Sequence, residues 1–199
     1  MEYPLHLRFK YWALAPQIYI EDTAGNNVLY VHQKLFRLRE NIAVYQDKTK
    51  QKLLYTIKAD RVIDFSAKYR VSDPSGQEIC TIKQHGWKSL WRTHFEIFVG
   101  EKMVFRLREE DPWVKVADAV LSAIPFLDIF GGLVFHPSYK VMRVNADGSD
   151  AKTVMRLNKK PSFFERFFEI NKTEDIDAKE EVQVLACLLI STLLERNRG

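Results

Sequence analysis

A chain of 199 residues with 46% hydrophobic and 28% charged side chains is long enough to bury a sizeable core, and needs neither disulfide nor metal to fold. Thirty Lys and Arg against 26 Asp and Glu leave a charge of +4, compatible with a nearby acidic surface and too weak to argue for nucleic acid. Cys80 and Cys187 lie in apolar runs and read as small core residues of a reducing, cytoplasmic compartment. The N-terminus lacks the apolar segment of a signal peptide, and no lipidation signature is expected.

The first half of the chain repeats itself. Ile18-x-Ile20-x-Asp22-x-x-Gly25 leads to Leu29-x-Val31, and Tyr69-x-Val71-x-Asp73-x-x-Gly76 leads to Ile79-x-Thr81. Each unit reads as an alternating strand, an Asp-to-Gly turn and a second alternating strand. Two more strands follow in each: Ile42-x-Val44 and Leu53–Ile57, then Phe95-x-Ile97 and Met103–Leu107. Sequential strands with short turns predict antiparallel meanders over 17–58 and 68–108, within one domain spanning 1–199.

After Asp111 the pattern changes. Asp111 as cap and Pro112 at the first helical position predict a helical insertion over 112–132, with Trp113–Ile124 as its helix and Pro125 and Gly131-Gly132 bending or ending it. Strand character returns at Leu133–Phe135 and Tyr139–Val144, then after a turn at Asn145–Gly148, in Thr153–Leu157 and Phe163–Ile170. Asp177, with Glu180 three residues on, predicts a capping box opening a helix over 177–196. That helix is apolar all round from Leu185 to Ile190. Its apolar stretch, Val182–Leu194, falls short of the roughly 20 residues that span a bilayer. A helix of this kind is expected to be enclosed by the rest of the fold.

The meander ending on one apolar helix resembles the tubby C-terminal-like fold. Gln33-Lys34 with Leu35-x-x-Leu38 and Ile42-x-Val44-Tyr45, the Asp73-x-x-Gly76 turn, and Lys88-Ser89-Leu90-x-Arg92-x-x-Phe95-x-Ile97 are similar to the LURP-one-related family. Asp175-Ile-Asp177-x-Lys179 running into Ala186–Ile190 is similar to the end of phospholipid scramblases, which share the fold. The resemblance implies a closed antiparallel β-barrel of about twelve strands around a buried hydrophobic C-terminal helix, a mainly β fold with some α. It implies less about function, since relatives include phosphoinositide-binding tubby proteins, proposed lipid scramblases and plant defence-linked proteins. The stretch from Trp113 to Phe135 departs from the family pattern.

The five histidines show no metal spacing, and no nucleophile or nucleotide motif appears, so the chain is expected to be no enzyme and to hold no cofactor. Glu174, Asp175, Asp177, Glu180 and Glu181 offer oxygens that suit calcium, but they read better as an acidic first turn favoured by the helix dipole. Basic residues beside tryptophans suit an anionic membrane surface: Lys34, Arg37 and Arg39 in the first unit, and Lys83, Lys88 and Arg92 with Trp87 and Trp91 in the second. Lys48, Lys50 and Lys52 on a turn add to them. The competing reading is a solvated strand face with edge-protecting lysines. Phospholipid binding is therefore expected at Arg37, Arg39, Lys88, Trp91 and Arg92. The apolar insertion, with Leu121, Ile124, Phe126, Leu127, Ile129 and Phe130 at its tip, is expected to touch a membrane or a partner through Phe126, Leu127 and Phe130. Three functions follow: a non-enzymatic binder of anionic phospholipid headgroups, peripheral to the membrane; a scaffold docking a protein partner through 113–135; and a scramblase. The last fits least, because the apolar stretch cannot both fill a barrel and span a bilayer.

Overall fold

Period-two alternation gives each strand one face for a core and one for water, and Asx- and Gly-bearing turns fold each strand back on the last. In the computed structural model, which describes residues 1–10, 17–32, 42–60, 67–85, 94–110, 138–160 and 167–196, twelve strands form a closed barrel. They are β1 (Leu5–Lys10), β2 (Gln17–Glu21), β3 (Asn27–His32), β4 (Ile42–Tyr45), β5 (Leu53–Ala59), β6 (Lys68–Ser72), β7 (Glu78–Gln84), β8 (His94–Val99), β9 (Lys102–Glu109), β10 (Ser138–Val144), β11 (Asp150–Lys160) and β12 (Phe167–Lys172). Helix α1 (Ala178–Arg196) follows. Every strand is antiparallel to its sequence neighbours, and β1 closes the barrel on β12 with Leu7 opposite Phe168. This is the barrel around a C-terminal helix that the family resemblance implied.

The meander does not stop at two units. The hairpins β2–β3, β6–β7 and β10–β11 share one turn: Gly25, Gly76 and Gly148 each donate N–H to the carbonyl three residues back, at 3.0 Å. All three glycines have φ between 81° and 88°, the left-handed region that an L side chain avoids. Asp22 and Asp73 fold their carboxylates onto the turn, accepting from the N–H groups of Asn26 and Gln77 at 2.9 Å. The barrel is thus three four-strand blocks. The third takes β10 to β12 from the second half of the chain and completes itself with β1 from the N-terminus. Closure removes every sheet edge.

Four segments differ from the sequence reading. No strand was expected at Leu5–Lys10, although Leu5, Leu7 and Phe9 alternate and point into the core. In β7 the inward pair is Cys80 and Ile82 rather than Ile79 and Thr81. A slip of one residue exchanges the faces of a strand, and apolar Ile79 disguised the true phase. Strand β11 extends well beyond Thr153–Leu157, and its register against β10 shifts on either side of Met142, which leaves Val154 and Met155 both buried. The last strand begins at Phe167, and 161–166 lie outside the described residues. The expected insertion at 112–132 and the strand at Leu133–Phe135 also lie outside them.

Helix α1 fills the barrel. Every residue from Gln183 to Leu193 is buried, so the run that is apolar on all sides meets strand side chains on all sides. Each fully enclosed Leu or Ile contributes about 1.5–3 kcal/mol. The two hydroxyls in this stretch bond within the helix, Ser191 to the Leu188 carbonyl at 2.8 Å and Thr192 to that of Leu189 at 2.9 Å. The expected capping box is present. Asp177 accepts from the N–H groups of Lys179 and Glu180 at 2.8 Å, and its own N–H donates to Glu180 at 3.2 Å.

Because consecutive strands alternate in direction, connections after even-numbered strands gather at one end of the barrel and those after odd-numbered strands at the other. The first, or tight-turn, end carries the short hairpins and the entry to α1. The second, or connection, end joins strands through 11–16, 33–41, 61–66, 86–93, 111–137 and 161–166, all outside the described residues.

Candidate functional site

The residues expected to bind phospholipid or touch a partner fall in those connections. Arg37 and Arg39 belong to the β3–β4 connection, Lys88, Trp91 and Arg92 to β7–β8, and Phe126, Leu127 and Phe130 to β9–β10. Each lies outside the described residues, yet the strands that bracket all three connections end at the same end of the barrel. Lys48, Lys50 and Lys52 do not join them, since their β4–β5 turn is at the opposite end. Lys83 projects from the outer wall with Nζ 4.0 Å from the centroid of the Phe98 ring.

A polar network links the end of β7 to the start of β8. The backbone N–H of His85, just after β7, donates to the carbonyl of His94, the first residue of β8, at 3.1 Å. The two rings meet edge to face with centroids 5.3 Å apart. His85 Nε2 lies 2.6 Å from Glu96 Oε2, while the other Glu96 oxygen stands 3.6 Å from His94 Nε2 and 3.7 Å from Arg106 Nε. His94 Nε2 and Arg106 Nε are both buried and lie beyond hydrogen-bonding reach of any partner among the described residues. Burial holds the His94 pKa below the ordinary value of 6.5; Arg108, His85 and Arg106 push it the same way, and Glu96 opposes them. Arg106 and Arg108 share Asp150, at 2.5 and 3.1 Å. Glu110, just past β9, binds Arg156 and accepts from the Ser138 hydroxyl at 2.9 Å.

The acidic residues around the helix start each have a separate task. Glu174 pairs with Lys152 at 3.2 Å and Asp175 with Lys172 at 3.3 Å. Asp177 caps α1, Glu180 binds Arg143, and Glu181 accepts from the Tyr3 hydroxyl at 2.7 Å. Arg143 is the first cause of the lowered Glu180 pKa. Among the described residues no three His, Cys, Asp or Glu side chains are arranged to hold a metal.

Inside the barrel, Cys80 lies on the wall and Cys187 on the helix, both in the buried core. Burial pushes the Cys80 thiol up to about 12 and raises Cys187 well above its ordinary value, with Cys80 as a second cause. The Tyr55 hydroxyl is also wholly buried and has no hydrogen bond among the described residues, and its pKa is raised, first by burial and then by Cys80. Sequence reasoning missed both this trio and the His85–His94–Glu96 network. Neither has a linear spacing signal, because each is assembled by cross-strand register and by the helix threading the barrel.

A family model described as LURP-one-related matches residues 27–130, from β3 through β9 and into the segment that follows. No curated protein and no solved structure matches the chain.

Proposed function

The chain belongs to the LURP-one-related family, and on that premise we propose that it is a non-enzymatic binding protein that docks, peripherally and from the cytoplasmic side, on anionic phospholipid headgroups. The observation that carries this reading is the difference between the two ends of the barrel. Every one of the six connections at the connection end contains an aromatic residue, and all four tryptophans, Trp12, Trp87, Trp91 and Trp113, belong to them. None of the six tight-turn segments contains an aromatic residue, and each contains a carboxylate. Tryptophan favours the membrane–water interface, and each cation near an anionic leaflet contributes about 1 kcal/mol. Arg37, Arg39, Lys88 and Arg92 supply such cations at the aromatic end.

Two further features favour a peripheral mode. Among the described residues no helix is long and apolar enough to cross a membrane, and the apolar part of α1 is enclosed by the strands. The outward faces of the strands carry charge, as at Lys58, Arg70, Glu96 and Arg108, while the inward faces are apolar.

Vesicle flotation tests the reading. The protein is expected to float with anionic and not with neutral vesicles, and to be released at high salt, because exposed charges more than a Debye length of about 8–10 Å apart are screened. Salt-insensitive flotation with both would transfer the contact to the apolar 113–135 segment. Flotation with neither would end the membrane reading in favour of a protein-docking scaffold.

A further inference from the structure

The ladder aligns a row of basic side chains across the outer wall close to the connection end. His94 on β8 pairs with Arg108 on β9, Arg108's neighbour on β10 is Lys140, and Lys140 pairs with Arg156 on β11. Their flanking residues Phe95, Leu107, Tyr139, Val141, Met155 and Leu157 belong to the core, so the row faces outward. Directly opposed side chains of an antiparallel ladder stand about 5 Å apart, and like charges at that distance repel. The two arginines are compensated, Arg108 by Asp150 at 3.1 Å and Arg156 by Glu110. Lys140 between them has no carboxylate or hydrogen-bond partner among the described residues.

We propose that Arg108, Lys140 and Arg156 seat a phosphate monoester. The carboxylates fix the two guanidinium groups on either side of the lysine. Each guanidinium has five N–H donors, so some remain for a ligand once its carboxylate is bound. A phosphate oxygen on Lys140 can then draw a second and a third bond from the flanking arginines. With the arginines partly neutralised by Asp150 and Glu110, Lys140 supplies the uncompensated charge. A monoester, with charge near −2 and three terminal oxygens, can bond Lys140 and both guanidinium edges at once, which a diester with two free oxygens cannot. Between two arginines the unpaired lysine costs the fold repulsion that a bound anion would relieve. The proposal deepens the membrane reading and rests on it only for the source of the phosphate, a lipid headgroup or a soluble monoester.

The test compares the full chain with Lys140→Gln and Lys140→Arg on vesicles containing phosphatidic acid, a monoester, or phosphatidylserine, a diester, and separately titrates inorganic phosphate against the Lys140 amide signal by NMR. The wild-type protein is expected to prefer phosphatidic acid by about tenfold, the size of one charge-assisted hydrogen bond. Lys140→Gln should lose that preference while melting no lower than wild type, and Lys140→Arg should keep it. Binding to neither vesicle, with a phosphate response that Lys140→Gln abolishes, would support the seat for a soluble monoester and end the membrane reading. Equal binding to both vesicles, or a preference that survives Lys140→Gln, would overturn the seat and leave the membrane reading standing. Absence of any phosphate response, in either format, would overturn it as well.

Discussion

At the tight-turn end of the barrel the acidic side chains fold back on the protein itself. Asp22, Asp73 and Asp147 bond the turns they start or sit in, Asp177 caps α1, and Glu180 and Glu181 are held by Arg143 and Tyr3. The opposite end is built differently. Its connections hold every tryptophan, and near it His94 Nε2 and Arg106 Nε are buried without a hydrogen bond among the described residues. The contrast separates an end whose acidic groups serve turns and the helix cap from an end whose connections carry all four tryptophans. Variable connections on a rigid scaffold are where barrels carry recognition.

Exchanging charge at the two ends breaks the comparison most directly. Replacing Arg37, Arg39, Lys88 and Arg92 by Gln removes four cations from the connection end, and at about 1 kcal/mol each the loss of affinity for anionic vesicles should reach several hundredfold. Replacing Lys48, Lys50 and Lys52 by Gln removes three from the tight-turn end and should change affinity less than threefold. Equal losses in a vesicle-binding titration would mean that overall charge, not the end that carries it, governs attraction.

Acid should loosen the two ends in sequence, a smaller effect. His94 is held neutral in the fold, with its pKa below 6.5. The unfolded chain therefore binds a proton that the folded chain refuses, and stability falls as pH drops through and below the ordinary histidine value. Asp73, Asp147 and Glu180 have lowered values, so their contribution is present above ordinary carboxylate pH and fades as pH falls below it. Urea midpoints of His94→Gln should flatten between about pH 7 and 5. Those of Asp73→Asn should flatten only below about pH 4. The reverse order would assign the acid sensitivity to the wrong ends.

Much of the barrel was readable from residues 17–58 and 68–108, where alternation, Asp-to-Gly turns and apolar inward pairs agree with one another. The helix was readable because Leu185–Ile190 has no polar face and Asp177 and Glu180 form a reciprocal cap. The third block was hidden, because its fourth strand is β1, at the other end of the chain, and proximity created by closure leaves no local pattern. In β7 the Ile79-x-Thr81 alternation points to the opposite phase, although Cys80 itself reads as a core residue and is one. The Arg108–Lys140–Arg156 row and the His85–His94–Glu96 network were illegible for the same reason: side chains far apart in the chain become neighbours through register, which periodicity alone does not fix. The candidate lipid residues had a sequence signal, cations interleaved with tryptophans, and topology divided that signal by moving Lys48, Lys50 and Lys52 to the other end.

The four tryptophans make the orientation directly measurable. On anionic vesicles containing brominated lipid, the intrinsic fluorescence should be quenched. A fluorophore placed on Ser75→Cys, in the tight β6–β7 turn, should keep its emission. Cys80 and Cys187 are buried with raised thiol pKa values and should not compete for the label. Quenching of the tryptophans without the Ser75 label is the result expected of a barrel that meets the membrane with its aromatic connections. Quenching of the label without the tryptophans would contradict the assignment of the two ends.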